Sequence, residues 1–578
     1  MPRMVCSFPW QQRILALIFL LESIAFGQVD TWAGWEGLDE EQQAALLEEI
    51  NTWADQPLHF RTLTWRQLNE LPVSTEARDA VWTYLQRHPQ YGKLDFLDSL
   101  ALDSWDYLVL SAVITEGDRN REQRYRLRMG TASGQLDERY RQNFNLQLNR
   151  IRLSVMVQRD LEATSFHSYS TGGLVYSLPD NHGRLYLGNY RLDSGYGLAF
   201  GQSSFASGSG LNQIHPRLRQ RIRIHQAAQD YGYFTGLAWQ RDWQSFQLLV
   251  HFNQNKIPGK LIQDNYVPFP TSHASNVVYR TARTLGMSVQ YAPREELTVQ
   301  LQLGTDHLAG QWDFPTEISV AWEYPHIRLA YGAGWWGGDT LSQIFSIRLD
   351  GNRVSTAISF WKTGGQRKLR YRLSEPVVAM QTVNNQGAVM GVRYKPGKGV
   401  SLDWMAWFRK DFIPPDLEDK SLKRGHESRL NWKNGSFYWR QQWAVEGGSL
   451  HKTGVQIHQQ PGKEIRLVEF FKLAYQDHLI GGLAGLRVQY RRPEWQVNTG
   501  LVRYVATAYA VRQYAYESGV SSAFSIPLYY GDGVRIYTVV GILDNFWKIE
   551  FKLGQWREFS TEGTINKHDG TLQLSIVF

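Results

Sequence analysis

The feature that most constrains this chain is an alternation of apolar and polar residues that recurs from residue 124 to residue 578. Leu297, Val299, Leu301 and Leu303 alternate with Thr298, Gln300 and Gln302, and Trp547, Ile549, Phe551 and Leu553 alternate with Lys548, Glu550 and Lys552. Side chains along an extended strand point to opposite faces in turn, so each run makes a strand with one apolar and one wet face. Turn residues separate the runs at Pro-Asp-Asn-His-Gly183, Pro-Gly-Lys-Gly399, Lys-Asn-Gly435, Pro-Gly-Lys463 and Gly-Asp-Gly533. About 20 strands are expected, each of a length that spans a membrane. A meander this long must close or cover its edges. The expected fold is therefore mainly β, a large antiparallel transmembrane barrel preceded by a small all-α domain.

The last strand supports closure. Leu572, Leu574, Ile576 and Phe578 fall on one side of it, and Gln573, Ser575 and Val577 on the other. This ending resembles the closing strand of bacterial outer-membrane barrels, which is read by the barrel assembly machinery and pairs with the first strand. The composition agrees. Twenty-two Trp and 29 Tyr suit the interfacial girdles of a barrel. A mean hydropathy of −0.40 does not suit a helical membrane protein.

Three parts are expected. Residues 1–27 read as a signal peptide, with Arg3 and Arg13 ahead of or within an apolar core at Ile14 to Leu21, and small residues near Ala25-Phe-Gly27. The single cysteine, Cys6, lies in this segment, so the remaining chain has no disulfide and no thiolate metal site. Residues 28–118 read as an acidic helical domain. Five Lys/Arg stand against fourteen Asp/Glu over residues 36–115. Helices are expected over 38–53, over Thr64 to Leu71, from Thr75 through Leu85, and around 95–100 and 104–113. Residues 120–578 form the barrel, with a net charge of +17.

The head carries a second resemblance. Thr64-Trp-Arg-Gln-Leu-Asn-Glu-Leu-Pro72, then Ala77 to His88, then Gly92-Lys-Leu-Asp-Phe-Leu-Asp-Ser-Leu100 resemble a tandem helix-hairpin-helix module of the ComEA type. The resemblance implies hairpins whose backbone N–H groups contact DNA phosphate. Val73, Ser74 and Thr75 stand where the first glycine hairpin belongs, and Ala101, Leu102 and Asp103 where the second belongs. Without glycine the close approach to a phosphate is hindered, and an acidic head repels DNA. These six residues are the candidate contacts to DNA or to a periplasmic protein partner, with DNA disfavoured.

Leu187-Gly-Asn-Tyr-Arg-Leu-Asp-Ser-Gly-Tyr-Gly-Leu-Ala-Phe-Gly201 and Tyr514 through Gly533 resemble segments of large helix-hairpin-helix-plus-barrel proteins of Bacteroidota-type bacteria. The resemblance implies an outer-membrane location with the head in the periplasm. Irregular stretches near 203–216, 255–283 and 410–426 are expected to be external loops or inward constrictions.

For the lumen, the polar rows nominate Arg124, Arg126, Arg128, Arg152, Arg487, Arg491, Lys548 and Lys552 as inward-facing cations. The sequence holds no His-Glu-x-x-His, no Gly-x-Ser-x-Gly and no phosphate loop. No cofactor, metal or catalytic residue is nominated, and the chain is not read as an enzyme. The favoured role is a channel or transport component embedded in outer-membrane lipid. A DNA-uptake receptor is the first alternative and a barrel enzyme the second.

Overall fold

The computed structural model describes the head in pieces between residues 58 and 115 and the chain from 124 to 577. It excludes the connections at 134–138, 161–168, 200–213, 226–232, 269–277, 336–340, 364–384, 412–421 and 521–526, some short turns, and side chains including those of 124–141 and 256–279. The expected signal segment and the helix over 38–53 lie outside the described residues.

Within the head, helix α1 is Trp65–Glu70, α2 is Thr75–Arg87 and α3 is Phe96–Ser99. Their apolar faces meet in one small core of Leu68, Leu71, Val73, Val81, Phe96 and Leu110. A two-residue parallel pairing, Leu58 with Ile114 and His59 with Thr115, ties the start of this unit to its end.

The rest is one closed antiparallel barrel. From Arg124–Ser133 onward each wall strand pairs with the next along the chain, and the last, Gly563–Val577, returns to pair with the first. Among the described residues twenty-four strands complete the ring, against the roughly 20 expected from the pattern. A ring with only antiparallel neighbours closes only on an even number, and this one does. Three further segments, Arg219–Ile224, Asn265–Pro268 and Gln311–Asp313, each pair with one strand and lie outside the ring.

Parity sorts the wall as the sequence pattern requires. Leu301 is 42% exposed and its neighbour Gln300 is 0% exposed. In a soluble sandwich the apolar side would be the buried one. Here it faces outward, and the polar side faces the interior. At the end of the wall where turns are short, Trp243, Phe246, Tyr291, Trp322, Tyr324 and Trp547 form an exposed aromatic girdle. Phe246 stacks on Tyr291, its direct cross-strand partner, with centroids 4.4 Å apart.

Two expectations are corrected. The described residues of the stretch 255–283 are largely ladder: Phe246–Ile262 pairs with Val278–Arg294 as far as Gly259 opposite Val278. At about 3.3 Å per residue these strands outrun the apolar band. A strand needs an apolar side only where it faces lipid, so alternation is not required of such an extension. Gly531-Asp-Gly533 is not a hairpin turn. It opens strand Gly531–Leu543, with Gly531 at φ 84 taking the chain into the wall.

The inner wall has a recurring joint. Trp361, Trp407, Tyr438, Phe470, Tyr504 and Tyr537 are buried. Each sits directly opposite a glycine of the neighbouring strand, at Gly387, Gly425, Gly454, Gly485, Gly533 and Gly500 respectively. A Cβ built at any of these glycines would strike the ring. The missing side chain lets a large ring lie flat against the wall, a device that shapes curved sheets.

Candidate functional site: two inward segments in the lumen

The first inward segment grows out of strand Arg184–Gly195. Up to Tyr190 the strand pairs with Phe234–Trp243 as ordinary wall. From Tyr190 through Ala199 every residue is buried. A wall strand buries alternate residues, so ten in succession mean that the backbone has left the wall. Past Tyr190 it pairs with Arg219–Ile224 instead. Gly195 and Gly197, at φ 63 and 70, turn it with left-handed backbone that other residues resist.

A carboxylate from the wall receives that turn. Tyr196 N donates to Glu317 Oε1 at 2.7 Å, and Leu198 N and Ala199 N donate to Glu317 Oε2 at 2.7 and 2.9 Å. Ser319 Oγ adds a fourth donor at 2.6 Å. Gly195 N donates to Gln300 Oε1 at 3.2 Å, and Gln300 Nε2 returns a bond to Ser194 Oγ at 2.8 Å. Backbone N–H groups converging on a carboxylate form strong charge-assisted bonds. At the base of the segment Asp193 accepts from Arg221 Nε at 2.6 Å and from Arg223 Nη2 at 3.0 Å. Further along, His215 Nδ1 lies 3.0 Å from Ser346 Oγ, and Ser359 Oγ donates to the Ile214 carbonyl. Tyr196, Leu198, Ile214 and Leu218 pack with Ile344, Trp361 and Trp407 of the wall in one apolar cluster.

The second inward segment joins strand Trp495–Ala506 to strand Gly531–Leu543. Gln513–Tyr514 pairs with Leu528–Tyr529 inside the barrel. Lys472 Nζ donates to the Tyr514 carbonyl at 2.8 Å. Within it Glu517, fully buried, accepts from Tyr529 OH at 3.0 Å, from Arg535 at 2.8 and 3.0 Å, and from Lys552 Nζ at 2.9 Å. Arg535 also pairs with Asp569. Burial acts to raise the Glu517 pKa. The charges of Lys552 and Arg535 and their hydrogen bonds together outweigh it and hold the carboxyl below its ordinary range.

The head meets the barrel at the short-turn end. Arg78 of α2 pairs with Glu323 at 3.1 Å, and Asp79 accepts from Arg328 at 2.7 Å. The Arg78 guanidinium lies 4.6 Å over the Trp65 ring. Arg328 reaches Asp350 at 3.5 Å, and Arg348 reaches the same carboxylate at 2.9 Å. His215 feels this cluster, but burial dominates and pushes its pKa down to about 3.

The residues nominated from sequence are placed as follows. Val73 is buried in the core of the head. Thr75 opens α2, and its side chain, like Ser74, Ala101, Leu102 and Asp103, lies outside the described residues. Arg124, Arg126 and Arg128 are in the first wall strand, with side chains outside the described residues. Arg152 is half-buried, Arg487 buried and Arg491 exposed. Lys548 stands 3.1 Å from Glu550, and Lys552 is buried on Glu517. Sequence reasoning nominated cations and missed the carboxylates that organise the interior: Asp193, Glu317 and Glu517. The one local signal was their position beside glycine or in an apolar run, as in Thr316-Glu-Ile-Ser-Val-Ala-Trp322. Among the described residues no group of three or more His, Cys, Asp or Glu could hold a metal.

Closure without edges, an apolar exterior and an aromatic girdle define an outer-membrane β-barrel. No family model matches the chain, and no curated protein matches it. Solved structures that resemble it include the translocation pore of the P pilus usher, at 10% identity and a TM-score of 0.34, covering 79% of this chain and 99% of that one. A mutant ferric enterobactin receptor from Pseudomonas aeruginosa matches at 10% identity and a TM-score of 0.40, over 81% of this chain and 82% of that one. A siderophore receptor from Acinetobacter baumannii matches at 9% identity and a TM-score of 0.41, over the same shares.

Proposed function

We propose that this protein is a transport component of the bacterial outer membrane, with a lumen closed by two inward segments and a helical head on its periplasmic mouth. The observation that carries this reading is the grip of Glu317 on the turn at Tyr196 to Ala199: the carboxylate holds a lumen segment by three backbone hydrogen bonds and no covalent tie. Such a hold can be released and remade. The head's position is supported by its contact at the short-turn end, which in outer-membrane barrels is the periplasmic one. Insertion would follow the usual route for such barrels, with the C-terminal strand read by the assembly machinery. The head is best read as a docking module of helix-hairpin-helix descent for a periplasmic protein. Val73 in its core leaves the first hairpin built for packing, which does not favour a DNA clamp.

Single-channel recording in planar bilayers tests the proposal. Wild-type protein should be closed or pass small currents, and Glu317→Ala should open in steps severalfold larger. If Glu317→Ala and a variant lacking residues 28–118 are both as silent as wild type, the transport reading fails.

A further inference from the structure

Among the described residues, the inner wall made by strands Asn385–Gly397, Val400–Asp411, Leu422–Trp432 and Gly435–Ala444 buries two arginines, Arg429 and Arg440, around one carboxylate, Glu427. The other buried carboxylate described on these strands is Asp403. Arg393 engages both oxygens of Asp403, at 2.6 and 3.0 Å. That leaves Glu427 between two guanidiniums. Arg429 Nη2 donates to its Oε1 at 2.7 Å, and Arg440 Nη1 stands 3.9 Å from its Oε2.

Four further donors at this spot have no acceptor. Arg429 is 2% exposed and Arg440 7% exposed. Arg429 Nε and Nη1, Arg440 Nε and the Trp407 indole N–H are all buried without a hydrogen-bond partner. They belong to one neighbourhood. The Arg440 guanidinium lies 4.9 Å over the Trp407 ring, Glu427 is directly opposite Arg440, and Trp407 is directly opposite Gly425, two residues from Glu427. Guanidinium and indole groups donate and never accept, so what completes them is an acceptor. An excess buried charge persists only where something compensates it, so that acceptor is anionic. The planar guanidinium fork matches the paired oxygens of a phosphate or carboxylate.

We propose that this corner of the lumen is a binding site for an oxyanion of the phosphate or carboxylate type, held by Arg429 and Arg440 beside Trp407, with Glu427 fixing the two guanidiniums. The site adjoins the first inward segment, because Trp407 shares an apolar cluster with Tyr196 and Leu198. The inference concerns binding, and it stands whether or not the anion crosses the membrane.

Isothermal titration calorimetry on the full chain in detergent tests it, with sodium phosphate or sodium acetate titrated at constant ionic strength against a chloride control. Wild type should give saturable heat with at least one of the two anions. Arg429→Gln with Arg440→Gln should weaken that binding at least tenfold, and Trp407→Phe, which removes one N–H, about threefold. Arg503→Gln, at an exposed ion pair with Asp532, should bind as wild type does. Folding is checked by the heat-dependent gel mobility of barrels. If the double variant does not fold, Arg440→Lys, which keeps charge and loses the fork, should bind severalfold more weakly. No saturable heat above chloride in wild type, or unchanged affinity in the variants that fold, would overturn the proposal and leave water as the occupant.

Discussion

At the residue scale, the interior is organised by single carboxylates set against many donors. Glu317 is the sharpest case, because three of its four donors are backbone N–H groups of a segment more than a hundred positions away in sequence. Glu317→Gln keeps the shape, removes the charge and turns one acceptor into a donor facing N–H groups. Hydrogen bonds to a charged group contribute about 1.5–3 kcal/mol each, so the turn should loosen markedly. With Cys6 as the only native cysteine, a Cys6→Ser, Ala199→Cys background reports on this directly. Labelling by a water-soluble thiol reagent should be at least tenfold faster once Glu317 is Gln. His215 supplies a pH dependence whose sign follows from its burial. Its folded pKa is lowered to about 3 from an ordinary 6.5, so the folded protein binds fewer protons in that window. The stability it contributes is complete above about pH 6.5 and is lost as pH falls towards 3. Thermal melting should therefore drop over that range, and His215→Gln should flatten the drop. An identical slope in the variant would remove His215 from the account.

At the element scale, the aromatic–glycine joints explain how a wall of paired strands carries large rings on its inner face without pushing in on the lumen. Gly500→Val should drive a Cβ into the Tyr537 ring. Overpacking of this kind costs about 1–3 kcal/mol, and the urea midpoint of unfolding should fall accordingly. Gly462→Ala, in a turn with open space around it, should leave the midpoint unchanged. The strands themselves were readable in the sequence because their period is local: Leu301 and Gln300 announce opposite faces without knowing their partners. The inward turn at Gly195 was not readable. Its glycines and the run Tyr190 to Ala199 look like a wall strand followed by a loop, and only the contact with Glu317 and Gln300 shows where the chain goes.

At the scale of the whole molecule, the head and the first inward segment share one patch of the rim. Arg78 and Glu323 form the more buried tie between head and barrel, whereas Asp79 is 41% exposed and adds less. Removing one partner of a buried ion pair costs about 3–5 kcal/mol, so Arg78→Ala should detach the head. Limited proteolysis in residues 58–115 should become much faster, and Arg78→Glu with Glu323→Arg should restore part of the protection. Equal cleavage rates in wild type and Arg78→Ala would mean that the contact does not hold the head.

Taken alone, the order of residues determined the class of wall, its outward apolar face and the closing role of the last strand. Each of these is a property of neighbours a few positions apart, where periodicity and turn chemistry act. The size of the ring, the departure of Tyr190 to Ala199 from the wall and the pairing of Glu517 with Arg535 and Lys552 were decided by tertiary structure. So were the donors left around Arg429 and Arg440. These depend on which distant strands are brought together, and the charge a side chain meets across a lumen leaves no trace in the residues beside it.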